Sequence, residues 1–447
     1  MTDTAGTPSP GTLGPGTGAS ASGRGLTRRR RRRWLRYGAV GAGLVLVASV
    51  GAGWAVYAKL DGNIRADDAA AAELARYEKE RPTALVKDAQ NILLIGSDSR
   101  SGDGNARYGR DSGTERSDTT ILLHLSAGRR SATAVSLPRD LMVDVPGCRR
   151  PDGSRTEPMF TMFNHAFQAG GSACTIRTVE RLTGVRVDHH VVIDFHGFKD
   201  MVDAVDGVRI CLAEPIRDQA ARLRLPAGRV TLDGEQALGY VRARKSLGDG
   251  SDTDRMDRQQ RFLAALVNKV QSNHVLLNPV KLYPVLDAAT SSLTTDPDLA
   301  NLRGLYDLAR GLRDIPTRRV QFLTVPREPY VHDANRDQLV RAEAVTLFER
   351  LRTDAPVVVG EETPRDSATK SPNSSDVSQE EADAPAESSD DDHEEDRDYE
   401  EYFDSYYDDH GRYYDGKPGA KRPDEPVAAV SPAPTFRGNT AAEDTCE

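Results

Sequence analysis

Short apolar runs rich in β-branched residues recur through the middle of the chain: NILLIG from Asn91, TTILLHL from Thr119, ATAVSL from Ala132, VDHHVVIDF from Val187, GVRICL from Gly207 and VQFLTV from Val320. Each is bounded by turn-forming residues, which is the pattern of strands. Interleaved with them are segments with apolar positions three and four apart: TIRTVERLTG, FKDMVDAVDG, GEQALGYVRAR, RQQRFLAALVNKV, DLANLRGLYDLARGL and QLVRAEAVTLFERLR. In the fourth, Phe262, Leu263, Leu266, Val267 and Val270 predict one buried helix face. Alternation of this kind over residues 89–356 predicts one layered α/β or α+β domain. We take it as an α/β/α arrangement around a mixed central sheet.

A different pattern precedes the domain. From Tyr37 to Ala58 the chain reads YGAVGAGLVLVASVGAGWAVYA, without a charge between Arg36 and Lys59. That length crosses a bilayer core of roughly 30 Å as a helix. Trp34 at one end, and Trp54 with Tyr57 at the other, occupy the positions of an aromatic belt. Arg28 to Arg33 just before it predict a cytoplasmic N-terminus and an extracytoplasmic location for the chain beyond Lys59. A cleaved signal peptide is the alternative, disfavoured by the length of the apolar run and of the leader. The sequence therefore divides into a basic cytoplasmic segment (1–36), a transmembrane helix (37–58), an extracytoplasmic stalk (59–88) with the helical stretch DDAAAAELARYEKE, the domain (89–356) and an acidic tail (357–447).

Charge sharpens this division. The chain has 447 residues with a formal net charge of −9, but the imbalance is local. Residues 361–447 carry 26 Asp and Glu against 8 Lys and Arg, whereas residues 1–36 carry eight Arg against Asp3. Both ends are poor in large apolar side chains, so disorder is predicted for them. The domain itself is near neutral, which leaves it free to bind an anion. Nucleic acid is not an expected partner, because the basic run abuts an apolar span and no helix-turn-helix is evident.

Candidate chemistry gathers at strand ends and at one helix entry. Asp98 follows the first strand in GSDSR, Arg116 and Asp118 open the second in RSDTT, and Arg139 and Asp140 follow the third in SLPRD. Farther along, Arg242 and Arg244 precede Asp252, Arg255, Arg258 and Gln259. Carboxylates and guanidiniums converging on one place suit a phosphate or pyrophosphate with a divalent metal, since Mg²⁺ takes hard oxygen ligands and Arg donates in pairs to phosphate oxygens. Taken singly, Asp98 and Asp118 read better as turn caps, and Arg255 with Arg258, three apart, could be a surface face for ion pairs. His124, His165, His189, His190 and His196 are scattered, and no cysteine pair has zinc-site spacing.

The ordered blocks NILLIGSDSR, RSDTT, VSLPRD, FNHAFQAGG, LDGEQALGYVRARK and DRMDRQQ resemble the LytR-CpsA-Psr family of membrane-anchored cell-wall enzymes over residues 89–275. The resemblance implies a phosphotransferase that moves an anionic glycopolymer from a polyprenyl-pyrophosphate carrier to a peptidoglycan hydroxyl, with Mg²⁺ or Mn²⁺. It implies Asp98 and Asp118 as metal ligands. Arg116, Arg139, Asp140 and Asp252 are implied as catalytic groups, and Arg242, Arg244, Arg255, Arg258 and Gln259 as pyrophosphate-binding groups. Either Asp118 or Asp140 could take the acceptor's proton. Hydrolysis of the same pyrophosphate and a non-enzymatic wall-associated regulator are the rival readings.

The predicted topology also bears on the cysteines. Cys148 and Cys174 would lie outside the membrane, on either side of an irregular stretch, and suit a disulfide; two free thiols are the alternative, because Cβ geometry decides. Cys211 reads as a small core residue and Cys446 as a tail thiol.

Overall fold

The computed structural model describes residues 24–97, 117–150, 152–219, 221–243, 252–272, 279–360 and 435–443. The strands in chain order are β1 (Arg65–Ala66), β2 (Gln90–Ser97), β3 (Ser117–Leu125), β4 (Ala132–Leu137), β5 (Met142–Val145), β6 (Met159–Met162), β7 (His189–Ile193), β8 (Val208–Leu212), β9 (Ile216–Asp218), β10 (Leu223–Leu225), β11 (Gly228–Leu232), β12 (Leu293–Thr295), β13 (Val320–Thr324), β14 (Arg327–Tyr330), β15 (Asp333–Leu339), β16 (Val358–Gly360) and β17 (Thr435–Thr440). The helices are α1 (Arg24–Asn63), α2 (Asp68–Arg76), α3 (His165–Thr183), α4 (Phe195–Ala204), α5 (Gly234–Arg242), α6 (Asp252–Ser272), α7 (Pro279–Ser292), α8 (Leu302–Arg313) and α9 (Arg341–Arg352).

Residues 1–59 and 60–447 form separate units. The stretch Trp34–Asn63 of α1, most of it in the first unit, is long and apolar enough to cross a membrane, and its most apolar 18 residues have a mean hydropathy of 1.9 and are not buried. The apolar positions lie all round this helix, as a lipid-facing segment requires.

In the second unit, a mixed sheet runs β1-β12-β7-β2-β3-β4-β13-β17-β16 among the described residues. β2, β3 and β4 pair antiparallel, while β7 joins β2 and β13 joins β4 in parallel. Strand side chains alternate between faces, and here both faces are covered. Leu93, Leu122, Val135 and Leu323 pack with Ile176 and Val179 of α3 and Leu347 and Phe348 of α9. Ile92, Ile121, Ala134 and Phe322 pack with Leu263 and Val267 of α6 and Leu308 and Leu312 of α8. The result is the expected α/β/α sandwich. A further apolar cluster lies under the β8–β11 region, where the inner-face residues of those strands meet Tyr240 of α5 and Phe262 of α6. The predicted apolar face of α6 is thus shared between two clusters.

The expected disulfide is present: Cys148 and Cys174 are bonded, with their Cα atoms 5.7 Å apart. It explains a glycine pair. A Cβ on Gly170 would lie 2.9 Å from the Cβ of Cys148, and the adjacent Gly171, at φ 63°, carries the kink inside α3.

Two expectations need correction. Cys211 is not a plain core thiol; it is half-buried and disulfide-bonded. Cys446, the one further cysteine in the sequence, lies outside the described residues. Residues of the stalk also bond the domain: Arg81 pairs with Glu180 at 2.8 Å and donates to the Val187 carbonyl, while Asp67 Oδ2 lies 3.2 Å from His190 Nε2. Lastly, residues 357–447 are not wholly tail. β16 pairs parallel to β17, which pairs antiparallel to β13 and buries Phe436 and Ala441.

Candidate functional site

The antiparallel register of β2 and β3 brings Ser97 opposite Ser117, and that of β3 and β4 brings Thr120 opposite Leu137. The end of β2, the start of β3 and the end of β4 therefore share one edge of the sheet. Chain leaving these ends is fixed by a rigid platform, where functional side chains commonly gather. Asp98 and Arg116 fall just outside the described residues, next to the paired Ser97 and Ser117.

Arg139 occupies the centre of the described cluster. Its Nη1 donates to Asp118 Oδ1 at 3.2 Å and its Nε to Asp140 Oδ2 at 3.2 Å. The surroundings hold this loop: the Asn164 amide donates to the Arg139 carbonyl at 3.0 Å, and the Asp337 amide to that of Asp140 at 3.1 Å. Asp337 is in turn paired with Arg327. Asp118 is the most open of the three side chains, 35% exposed, against 19% for Arg139 and 16% for Asp140.

The second group is carried by α5 and α6. A capping box between Asp233 and Gln236 starts α5, which ends at Arg242; its guanidinium lies 4.4 Å above the Phe195 ring. Arg255 and Arg258 of α6 are nearly fully buried. A buried guanidinium needs partners, and Arg258 donates to the Ala243 carbonyl while Gln259 donates to that of Val241 at 3.2 Å. These bonds join α6 to the end of α5. The link to the first cluster is Gln260, whose amide donates to Ser136 Oγ at 3.3 Å and Thr324 Oγ1 at 2.9 Å. Ser136 is three residues before Arg139, so the opening turns of α6 dock on the ends of β4 and β13. Arg244 lies outside the described residues, as does the side chain of Asp252 at the first position of α6.

The structure therefore brings together Asp118, Arg139 and Asp140, and separately Arg242, Arg258 and Gln259, with Gln260 joining the two groups. Gln260, Phe195 and Asn164 are not singled out by the sequence. Gln260 stands in the DRMDRQQ block, where only its neighbour reads as functional, and Asn164 stands in FNHAFQAGG; Phe195 carries no sequence signal. Among the described residues no group of three His, Cys, Asp or Glu could hold a metal alone. Asp118, the most open carboxylate, beside the Arg139 guanidinium fits Mg²⁺, which typically takes one or two carboxylates and completes its shell with phosphate oxygens and water.

Residues 59–353 match the LytR_cpsA_psr family. Over 210 residues the chain is 40% identical to the probable cell wall biosynthesis protein LcpB of Corynebacterium glutamicum, covering 46% of this chain and 47% of that protein. Over 299 residues it is 28% identical to TagT of Bacillus subtilis, a polyisoprenyl-teichoic acid–peptidoglycan teichoic acid transferase, covering 64% of this chain and 85% of that one. The chain spans about half the length of the C. glutamicum relatives LcpB and LcpA that it matches. Among solved structures, the protein gbs0355 of Streptococcus agalactiae shares the fold, with a TM-score of 0.50 and 20% identity over 60% of this chain and 88% of that one.

Proposed function

The chain belongs to the LytR-CpsA-Psr family, and from that premise we propose that it is a membrane-anchored phosphotransferase of cell-wall assembly. Its donor is an anionic glycopolymer on a polyprenyl-pyrophosphate carrier, and its acceptor is a peptidoglycan hydroxyl. The observation that carries this reading is Arg139 held between Asp118 and Asp140 at the sheet edge on which α6 docks.

Transfer requires the acceptor oxygen to attack phosphorus in line while the pyrophosphate bond breaks and polyprenyl phosphate leaves. Negative charge grows on the non-bridging and leaving oxygens, so preorganised cations lower the barrier. Arg139, Arg242, Arg255 and Arg258 supply them, with Arg116 and Arg244 added by the family blocks. Burial of Arg255 and Arg258 strengthens their action, because a dry site screens charge less. Asp118 and Asp98 would hold Mg²⁺, which when bound neutralises pyrophosphate charge. Asp140 is then the carboxylate left to receive the acceptor's proton. Trp34–Asn63 anchors the enzyme, and the Arg28–Arg33 run sets the N-terminus inside, so the domain works where peptidoglycan lies.

The test is detergent-purified full-length protein, examined by mass spectrometry for bound polyprenyl phosphate lipid and assayed with and without a peptidoglycan acceptor. Bound lipid and acceptor-dependent release of polyprenyl phosphate are expected. Release at equal rate without acceptor would establish a hydrolase, and absence of both lipid and turnover would leave a binding protein. Chelation should stop turnover and added Mg²⁺ restore it; full activity in EDTA would remove the metal from the proposal.

A further inference from the structure

Away from the sheet edge, β8 to β11 form a two-stranded ribbon. β8 pairs with β11, and beyond it β9 pairs with β10, both antiparallel. Its inner face is apolar: Val208, Ile210, Leu212, Ile216, Leu223, Leu225 and Leu232 are buried against α5 and α6. The outer face is basic. Arg209, Arg217, Arg224 and Arg229 alternate with the buried positions and are exposed, with Arg222 exposed near the turn. Arg217 stands directly opposite Arg224, and like charges so placed destabilise a pair. Arg209, Arg217 and Arg224 make no ion pair with any described residue. Such a face calls for an anion.

We propose that this ribbon face is the docking surface for the acidic segment of the same chain, residues 361–434. Charge complementarity is the first argument: the segment carries 23 Asp and Glu against 7 Lys and Arg over 74 residues. Attachment is the second. The segment leaves the sheet after Gly360 of β16 and rejoins it at Thr435 of β17, which pair with one another. Pinned at both ends, a chain of that length still reaches roughly 25 Å from the sheet at its midpoint as a relaxed coil, and tethering raises its local concentration to the order of millimolar. A free glycopolymer or an anionic lipid shares the chemistry but has no such attachment.

Phenylglyoxal labelling of arginines in the full-length protein, read by mass spectrometry, tests this. Labelling is compared at about 10 mM and about 1 M salt, where the screening length falls from roughly 30 Å to 3 Å. Arg303, 87% exposed on α8, is the internal standard. Relative to it, Arg209, Arg217 and Arg224 should be protected about tenfold at low salt, the factor that 1.4 kcal/mol of docking supplies, and unprotected at high salt. Protection should vanish in a variant combining Asp390→Asn, Asp391→Asn, Asp392→Asn, Glu394→Gln, Glu395→Gln and Asp396→Asn. Equal labelling of ribbon and standard at low salt would overturn the proposal. Protection that survives in the variant would also overturn it, by assigning the face to another anion.

Discussion

Arg139 is the residue on which the described site turns, because its one guanidinium bridges two carboxylates. Arg139→Ala removes a charge-assisted donor and leaves Asp118 and Asp140 facing one another without a cation. No apolar core is lost, so the variant should fold while transfer falls at least about a hundredfold, the scale of removing one preorganised donor. A polyprenyl phosphate release assay beside a thermal melt checks both halves, and wild-type turnover would reject the assignment. Gln260→Ala separates architecture from chemistry. It strips two hydroxyls of their amide partner and should cost about 1 to 2 kcal/mol in denaturant unfolding. The contrast shows what the sequence makes legible. Asp118, Arg139 and Arg258 can be found because charged groups stand in recognisable blocks at strand ends and at the entry of α6. Gln260 and Phe195 cannot, because a buried amide and a ring under a guanidinium look like ordinary helix residues until their neighbours are known.

At the scale of elements, strands of five or more residues with dense β-branched side chains are readable, and so are the amphipathic helices. The hairpins β5–β6 and β9–β10 run only three or four residues per strand, too short for alternation to register. Helix α7 contains Pro284, which ordinarily argues against a helix interior. β17, TFRGNT, is polar and follows the acidic segment, so nothing local announces that it completes the sheet. Two predictions belong to this scale. Paired Cys148→Ser and Cys174→Ser should cost roughly 3 to 4 kcal/mol, since the bridge closes a loop of 26 residues in the unfolded chain. Denaturant unfolding of variant and wild type measures it, and an unchanged midpoint would show the bridge idle. Gly438→Ala tests β17 directly. A Cβ there would clash with the Phe322 carbonyl oxygen, a backbone atom that cannot step aside. The variant should release β17 from β13, seen as faster amide exchange at Phe322, whose amide faces β17.

Across the whole molecule, two histidine–carboxylate pairs tie the segment beside α1 and the chain after α7 to the central sheet. His189 Nδ1 lies 3.1 Å from Asp296 Oδ1, and His190 Nε2 lies 3.2 Å from Asp67 Oδ2. The Asp296 hydrogen bond lifts His189 above its ordinary 6.5, against the opposing effect of burial. Burial pushes Asp296 and Asp67 upward, yet hydrogen bonds from His189, His190 and backbone amides outweigh it and leave both below 3.8. The signs then set the pH profile. A histidine with a raised folded value stabilises fully below 6.5 and loses that contribution as pH climbs through the raised value. Carboxylates with depressed folded values stabilise above 3.8 and lose their share as pH drops toward the depressed values. Stability of the domain should therefore be greatest between these limits and decline on both sides. Asp296→Asn removes a partner from each limb, so it should cost about 1 to 2 kcal/mol near pH 5 and progressively less above pH 7 and below pH 3. Thermal melts of wild type and variant across that range decide it, and a difference that stays constant with pH would mean the pair contributes packing rather than charge.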